Sequence, residues 1–258
     1  MVNYLLKKSY LLKNLEEVNF QDLWEHHGIF TTMRIIGNPP KILFFDDHIH
    51  NLINSLKKYR IKKRSIKKDI IKVINQNLSK KINYNHLLRI AVSRNIISIS
   101  LRKRLFPKLN FNLKLVNLKR NNPRFKNLKY RKILSYLLKI DSSASDIGIV
   151  NKKKLLETGT SNLLFVKDKK IYSPLNNFYE GITLKFFKSK IKKIIKKDIY
   201  INTLKNYDEV ILLGSGKGVV SVKSIDQIQW RRKSKETYNK FLKLYLSAIN
   251  KCKKYNQF

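Results

Sequence analysis

Leu155-Leu156-Glu157-Thr158-Gly159-Thr160-Ser161-Asn162-Leu163-Leu164-Phe165-Val166 is the stretch on which the reading of the whole chain turns. An apolar pair leads into a single carboxylate, small residues follow, and an apolar run of strand length closes the block. The pattern predicts a strand, a tight turn carrying Ser161 and Asn162, and a buried strand over Leu163 to Val166. A carboxylate at such a junction is desolvated, which is costly unless it meets a cation or a hydrogen-bond donor. Glu157 therefore calls for a partner, whereas an isolated turn glutamate is ordinarily solvated.

The neighbouring segments predict a two-domain α/β (α+β) chain. Upstream, Ile29 to Ile36 reads as a strand, Gly37-Asn38-Pro39-Pro40 as a turn and Lys41 to Phe45 as its return. Asp46 or Asp47 is positioned to cap a helix whose Ile49, Leu52, Ile53 and Leu56 share one face. Ser65 starts a second, with Ile66, Ile70, Val73 and Ile74 inward. Leu87 to Ser93, Ile96 to Leu101 and Phe111 to Leu118 read as strands of a mainly antiparallel sheet. Residues 1–119 form the expected N-terminal domain, 120–126 with Arg120-Asn121-Asn122-Pro123 the linker, and 127–258 the C-terminal domain. In that second half a helix carrying Lys129 precedes strands at Ile147 to Val150, Leu163 to Val166 and Lys170 to Ser173. A helix from Ile182 has the stripe Leu184, Phe187, Ile191, Ile194 and Ile195, and a strand over Glu209 to Leu213 and a helix from about Lys235 complete the chain.

At 258 residues with 43% hydrophobic side chains the chain can bury a substantial core throughout. Its one cysteine, Cys252, excludes an intrachain disulfide and a cysteine-based zinc site, which fits a reducing compartment, the cytoplasm by default. No segment approaches the roughly 20 apolar residues of a membrane-spanning helix, and no signal peptide is legible. The net charge of +39 would ordinarily raise nucleic acid as a partner. Lysine accompanies Ile, Asn and Leu everywhere, however, so the excess reads as a global bias. A scattered positive field attracts phosphate without reading bases, and no specific nucleic-acid partner is expected.

Several blocks together resemble one family. Glu157 to Phe165 resembles the E-G-x-x-S-N-hydrophobic block of the class IV aminotransferases, the fold-type IV pyridoxal phosphate enzymes. Gly28-Ile29-Phe30-Thr31-Thr32-Met33-Arg34 is similar to the G-x-F-T-T-x-R segment of the 4-amino-4-deoxychorismate lyase branch. Asp47 to Ser55 matches D-H-I-x-x-L-x-x-S, Gly181 to Thr183 matches a G-I-T helix start, and Asp208-Glu209 precedes an apolar strand, all in the family's order. The resemblance implies the two-domain architecture of D-amino acid aminotransferase, pyridoxal 5'-phosphate as cofactor, a small-molecule substrate, and a homodimer. It points to the lyase reaction, which releases pyruvate and 4-aminobenzoate. The alternatives are a branched-chain or D-amino acid aminotransferase, or a degenerate member that keeps the fold as a binding protein.

Residue roles follow from the same resemblance. Two lysines compete for the cofactor's aldehyde carbon. Asn122 to Lys129 resembles the lyase pattern N-P-x-x-x-x-L-K, and Lys132 to Leu137 resembles the aminotransferase pattern K-x-L-N-Y-L; Lys129 is favoured and Lys132 is the runner-up. Such a lysine must lose its proton near neutral pH, which burial and a neighbouring cation favour. Glu157 is expected to pair with the protonated ring nitrogen, with Ser161 and Asn162 beside it. Ile182 and Thr183, at a helix start, and Ser215-Gly216 are expected at the cofactor phosphate. Phe30, Thr32 and Arg34 are expected at the substrate.

The chain also departs from the family. Asn51 stands where the family places its phosphate-binding arginine, and an amide cannot supply a charge-assisted bidentate contact. The stretch Gln21 to His27 lacks the family's D-R-G-x-x-x-G-D-G, and after Ser93-Arg94-Asn95 no long carboxylate-recognition loop intervenes. Gly214-Ser215-Gly216-Lys217-Gly218 imitates a P-loop without its spacing. His26-His27 are placed to line a cleft, and no metal site is expected.

Overall fold

The computed structural model of the chain describes residues 4–255. It divides into two compact units, Met1–Arg104 with Phe125–Arg131 and Lys251–Phe258, and Leu105–Arg124 with Lys132–Asn250. Both boundaries differ from a single linker at 120–126, because the chain visits the first unit three times.

In the first unit β1 (Tyr4–Leu11), β2 (Glu17–Val18), β3 (Gly28–Gly37) and β4 (Lys41–Ile42) precede α1 (Phe45–Lys58) and α2 (Ile66–Asn77). β5 (Tyr84–Ser93) and β6 (Ile96–Lys103) complete an antiparallel sheet of order β2-β1-β6-β5-β3-β4. Side chains alternate across a strand. On one face Ile29, Met33 and Ile35 of β3 join Leu88, Ile90, Ile97 and Ile99 under Leu52, Leu56, Ile70 and Ile74 of the helices. The helical stripes are as the spacing predicts. α1 begins two to three residues earlier than expected, after Phe44 in the left-handed region (φ 56°). Asp46 and Asp47 thus sit inside its first turn and make no side-chain cap, though their charge still complements the helix dipole.

In the second unit β7 (Phe111–Asn117), α3 (Arg131–Leu137, shared with the first unit through Arg131), β8 (Ser145–Asn151), β9 (Lys154–Thr158), β10 (Asn162–Lys167) and β11 (Lys170–Pro174) come first. α4 (Ile182–Lys190), β12 (Ile195–Lys197), β13 (Glu209–Gly214), β14 (Gly218–Ile225), β15 (Trp230–Arg231) and α5 (Glu236–Asn250) follow. The sheet runs β12-β11-β10-β13-β14-β7-β8-β9, with β15 also on β14. β7, expected in the N-terminal sheet, pairs in parallel with both β8 and β14 in this one. α4 ends at Lys190, so Ile191, Ile194 and Ile195 leave the expected helical stripe. Ile191 is already extended (φ −109°, ψ 124°), and the β-branched run continues into β12 beside β11. Phe187 of α4 stacks on Phe241 of α5 with ring centres 4.6 Å apart. The buried Glu209 accepts hydrogen bonds from the Thr237 and Tyr238 N–H groups at 2.8 and 2.9 Å and so closes the first turn of α5.

Candidate active site

Glu157, near the end of β9, has the partner its burial requires. Arg120 Nη1 lies 2.7 Å from its Oε1, with both side chains more than nine-tenths buried. The Tyr179 N–H donates to Oε2 at 3.4 Å. Arg120 was read from sequence as linker, and nothing local signals its role, since 37 residues separate the pair.

The turn after Glu157 is clamped by a second buried carboxylate. Asp146 Oδ2 accepts from the hydroxyls of Thr158 at 2.9 Å and Thr160 at 2.6 Å, and Lys217 Nζ stands 3.7 Å away. The Ser161 N–H donates to Thr158 Oγ1 at 2.8 Å. Gly159 is small for a physical reason: a Cβ there would lie 2.9 Å from Ile147 Cγ1. Gly214 has the same constraint from Ser161, whose Oγ would be 2.6 Å from an added Cβ. Lys217, within the P-loop-like sequence, also donates to the Ser142 carbonyl, so it braces this turn and the Ser215-Gly216 turn between β13 and β14.

Asn162 ties the same block to α4. Its Nδ2 donates to the Tyr179 carbonyl at 2.5 Å, and its Oδ1 accepts from the Gly181 N–H at 2.9 Å. Gly181 is the extended N-cap of α4, so Asn162 positions the first turn that carries Ile182 and Thr183. First-turn N–H groups have no intrahelical acceptor, and the dipole there favours an anion. Thr183 is 1% exposed, and its Oγ1 has no hydrogen-bond partner among the described residues. Glu157, Ser161, Asn162, Ile182, Thr183, Ser215 and Gly216 all belong to the second unit.

The first unit holds the remaining residues apart from Lys132. Lys129 lies before α3, in the extended segment that pairs with β3, because the Phe30 N–H donates to the Lys126 carbonyl and the Leu128 N–H to that of Gly28. This corrects the expectation of a helix carrying Lys129. Its side chain is 43% exposed, and its Nζ touches the Glu25 carbonyl and lies 4.0 Å from Glu25 Oε2, surroundings unlike the burial such a lysine needs. Lys132, which belongs to the second unit, is exposed on α3.

Thr31 of β3 turns towards the helices, where its hydroxyl lies 2.7 Å from His48 Nδ1. Burial, aided by the charge of Lys126, pushes the His48 imidazole down to about 3, so it is neutral at physiological pH. His48 and Asn51 share a face of α1 at helical spacing.

Phe30, Thr32 and Arg34 alternate onto the other face of the sheet, where Thr32 pairs with Arg89 and Arg34 with Leu87. The Phe30 ring is ringed by Trp24 at 5.1 Å and Tyr130 at 5.5 Å. Arg89 Cζ stacks 3.8 Å over Trp24, and its guanidinium binds Asp22. Burial pushes Arg89 down to about 10, still charged at neutral pH. Trp24, Tyr130, Lys126 and Arg89 were missed in the sequence; the register of Arg89 opposite Thr32 was the available signal. Of the paired histidines, His26 is exposed and His27 stacks on Tyr59 and bonds its carbonyl, so neither gathers a site.

The model of amino-transferase class IV matches residues 28–225, most of the chain. The chain belongs to the class IV aminotransferase family. Members of known structure share its fold. A protein of Legionella pneumophila assigned as 4-amino-4-deoxychorismate lyase is 20% identical, with TM-score 0.72 over 86% of this chain and 91% of that one. The branched-chain aminotransferase of Thermoproteus uzoniensis, solved with norvaline, is 15% identical, with TM-score 0.77 over 96% of both chains. The branched-chain amino acid aminotransferase of Thermobaculum terrenum, in its PLP form, is 15% identical, with TM-score 0.73 over 94% and 93%. No curated protein sequence matches. Among the described residues no helix is long and apolar enough to cross a membrane, and no three metal-ligating side chains cluster.

Proposed function

We propose that the chain is a pyridoxal phosphate enzyme acting as a 4-amino-4-deoxychorismate lyase, which releases pyruvate and 4-aminobenzoate. The observation that carries the cofactor is Thr183 Oγ1, a buried hydroxyl without a partner at the start of a helix. A phosphate oxygen supplies the missing acceptor, in the electrostatic setting that helix starts provide for anions. Glu157 fits as well. A carboxylate has about four acceptor sites, so one facing Arg120 and Tyr179 can also accept from a protonated ring nitrogen, and Arg120 favours its ionised form.

When bound, pyridoxal phosphate supplies an electron sink for the bond-breaking step. Lys129 would hold the cofactor at its aldehyde carbon, and its Nζ would carry protons to and from the substrate. Glu157 keeps the ring nitrogen protonated, with Ser161 and Asn162 fixing the turn and the helix start around it. Ile182, Thr183, Ser215 and Gly216 hold the phosphate, and Phe30, Thr32 and Arg34 contact substrate. The lyase is favoured over amino transfer by the Arg94-Asn95 turn joining β5 to β6 directly, with no loop to select an α-carboxylate. A cytoplasmic homodimer accompanies this reading.

Purified protein with added pyridoxal phosphate, reduced with borohydride and peptide-mapped, is expected to carry the cofactor on Lys129. Incubated with aminodeoxychorismate it is expected to yield equal amounts of 4-aminobenzoate and pyruvate, with neither from Lys129→Ala. Label on Lys132 would move the attachment site. Amino transfer between 2-oxoglutarate and branched-chain amino acids without 4-aminobenzoate would replace the lyase by an aminotransferase. No label on either lysine would favour a non-catalytic member, the outcome consistent with Asn51 and with the exposure of Lys129.

A further inference from the structure

The link between α1 and α2 carries more charge than the general lysine bias accounts for. Eight of the twelve residues 57–68 are lysine or arginine, against 56 of 258 in the whole chain, so the excess here is local. α1 closes on Arg60 in the left-handed region (φ 57°), and the Ile61 N–H returns to the Leu56 carbonyl at 3.0 Å. This closure turns Ile61 inward, where it is 3% exposed. With Ile66 at the start of α2 and the half-buried Ile53 of α1, it floors an open pocket of about 700 Å³. Lys57, Lys62, Lys63, Arg64 and Lys67 complete the lining. Lys63 is engaged, because it pairs with Asp69 at 2.8 Å and donates to the Leu12 carbonyl. The other four cations are exposed, none forms an ion pair among the described residues, and no carboxylate lines the pocket.

We propose that this pocket is a binding site for a single-chain amphiphile with an alkyl tail and a phosphate head. Concave pockets of up to about 1,000 Å³ take discrete small molecules, whereas a bilayer is met by protruding apolar groups. The floor selects the tail. Three isoleucines and no aromatic side chain line the pocket, so an alkyl chain is matched and a nucleobase finds nothing to stack on. The rim selects the head. A phosphate dianion engages several of the unpaired cations at once, while the lysine stems cover the alkyl chain and keep their charges in water. The site lies wholly within the first unit and depends on neither the cofactor nor the reaction proposed above.

Calorimetric titration of the full chain at about 0.15 M salt, where diffuse attraction is screened, tests the proposal. The probes are decyl phosphate below its micelle concentration, decyl maltoside and inorganic phosphate, with phosphatidylglycerol vesicles and a single-stranded oligouridylate titrated alongside. Decyl phosphate is expected to bind at one site, roughly tenfold more tightly than decyl maltoside or inorganic phosphate. Combining Lys57→Gln, Lys62→Gln and Lys67→Gln is expected to weaken decyl phosphate roughly tenfold and decyl maltoside by less than about twofold. The same charge removed from the second unit by Lys192→Gln, Lys193→Gln and Lys196→Gln is expected to leave both affinities unchanged. Ile53→Ser is expected to weaken both decyl ligands roughly threefold and to spare inorganic phosphate. Circular dichroism establishes that the variants are folded. Equal losses in the two triple variants would reveal attraction by the whole molecule and overturn the site. So would decyl phosphate binding no tighter than inorganic phosphate, which leaves the apolar floor unused. Binding confined to the vesicles or to the oligouridylate would give the surface a different occupant and overturn the proposal as well.

Discussion

A hydroxyl buried without an acceptor weakens a folded chain unless a ligand completes it, and Thr183 makes that trade measurable. Thr183→Val keeps the shape and removes the orphan. The unliganded protein is expected to be as stable as wild type or more so by about 1 kcal/mol, while affinity for pyridoxal phosphate falls roughly tenfold. A matching loss of stability in urea unfolding would show that the hydroxyl is satisfied internally. Arg120 and Glu157 behave oppositely, because removing one partner strands a buried charge. Arg120→Met is expected to cost about 3 kcal/mol in the same assay. His48 gives a pH dependence with a definite sign. Its folded value, about 3, lies below the unfolded 6.5, so its contribution is complete above pH 6.5 and is lost as pH falls towards 3. Between pH 6.5 and 5 stability is expected to drop by about 2 kcal/mol, a slope that His48→Gln flattens. The carboxylate and small-residue turn were legible because their constraints are local. Arg120, Trp24 and Arg89 were not, because their roles come from strands and loops far apart in sequence.

At the scale of elements, hydrophobic period served where one face was buried throughout. The stripes of α1 and α2 appear as expected, and so do β8, β10, β11 and the start of α4. Period failed where backbone hydrogen bonds outweighed it. Residues 126–128 have their backbone groups engaged by β3, which keeps Lys129 out of a helix. Ile191, Ile194 and Ile195 keep helical spacing, yet the helix ends before Ile191, which is extended, and Ile195 enters the strand β12 beside β11. The pairing of β7 with β8 and β14 is non-local and had no sequence signal. Glu209, noted in sequence as part of a family block and as the start of a strand, proves to be a helix-end acceptor. Glu209→Ala is expected to cost about 1–2 kcal/mol and to raise amide exchange in the first turn of α5 before anywhere else. Uniform protection along α5 would refute that role.

Over the whole molecule, +39 charges spread on both units repel one another, and salt screens them within a Debye length of about 10 Å at 0.1 M. Melting temperature is accordingly expected to rise with sodium chloride between roughly 0.02 and 0.3 M, and any binding to DNA to vanish over the same range regardless of sequence. A salt-insensitive melt would mean that the ion pairs already balance the excess. The threefold passage of the chain through the first unit bears on how the protein is made. Tyr255 donates its N–H to the Pro40 carbonyl and its hydroxyl to Asn75, so this sheet-and-helix layer receives its last pieces from the ribosome after every strand of the second unit has emerged. The half whose synthesis begins first thus makes its last contacts only after the other half has been made.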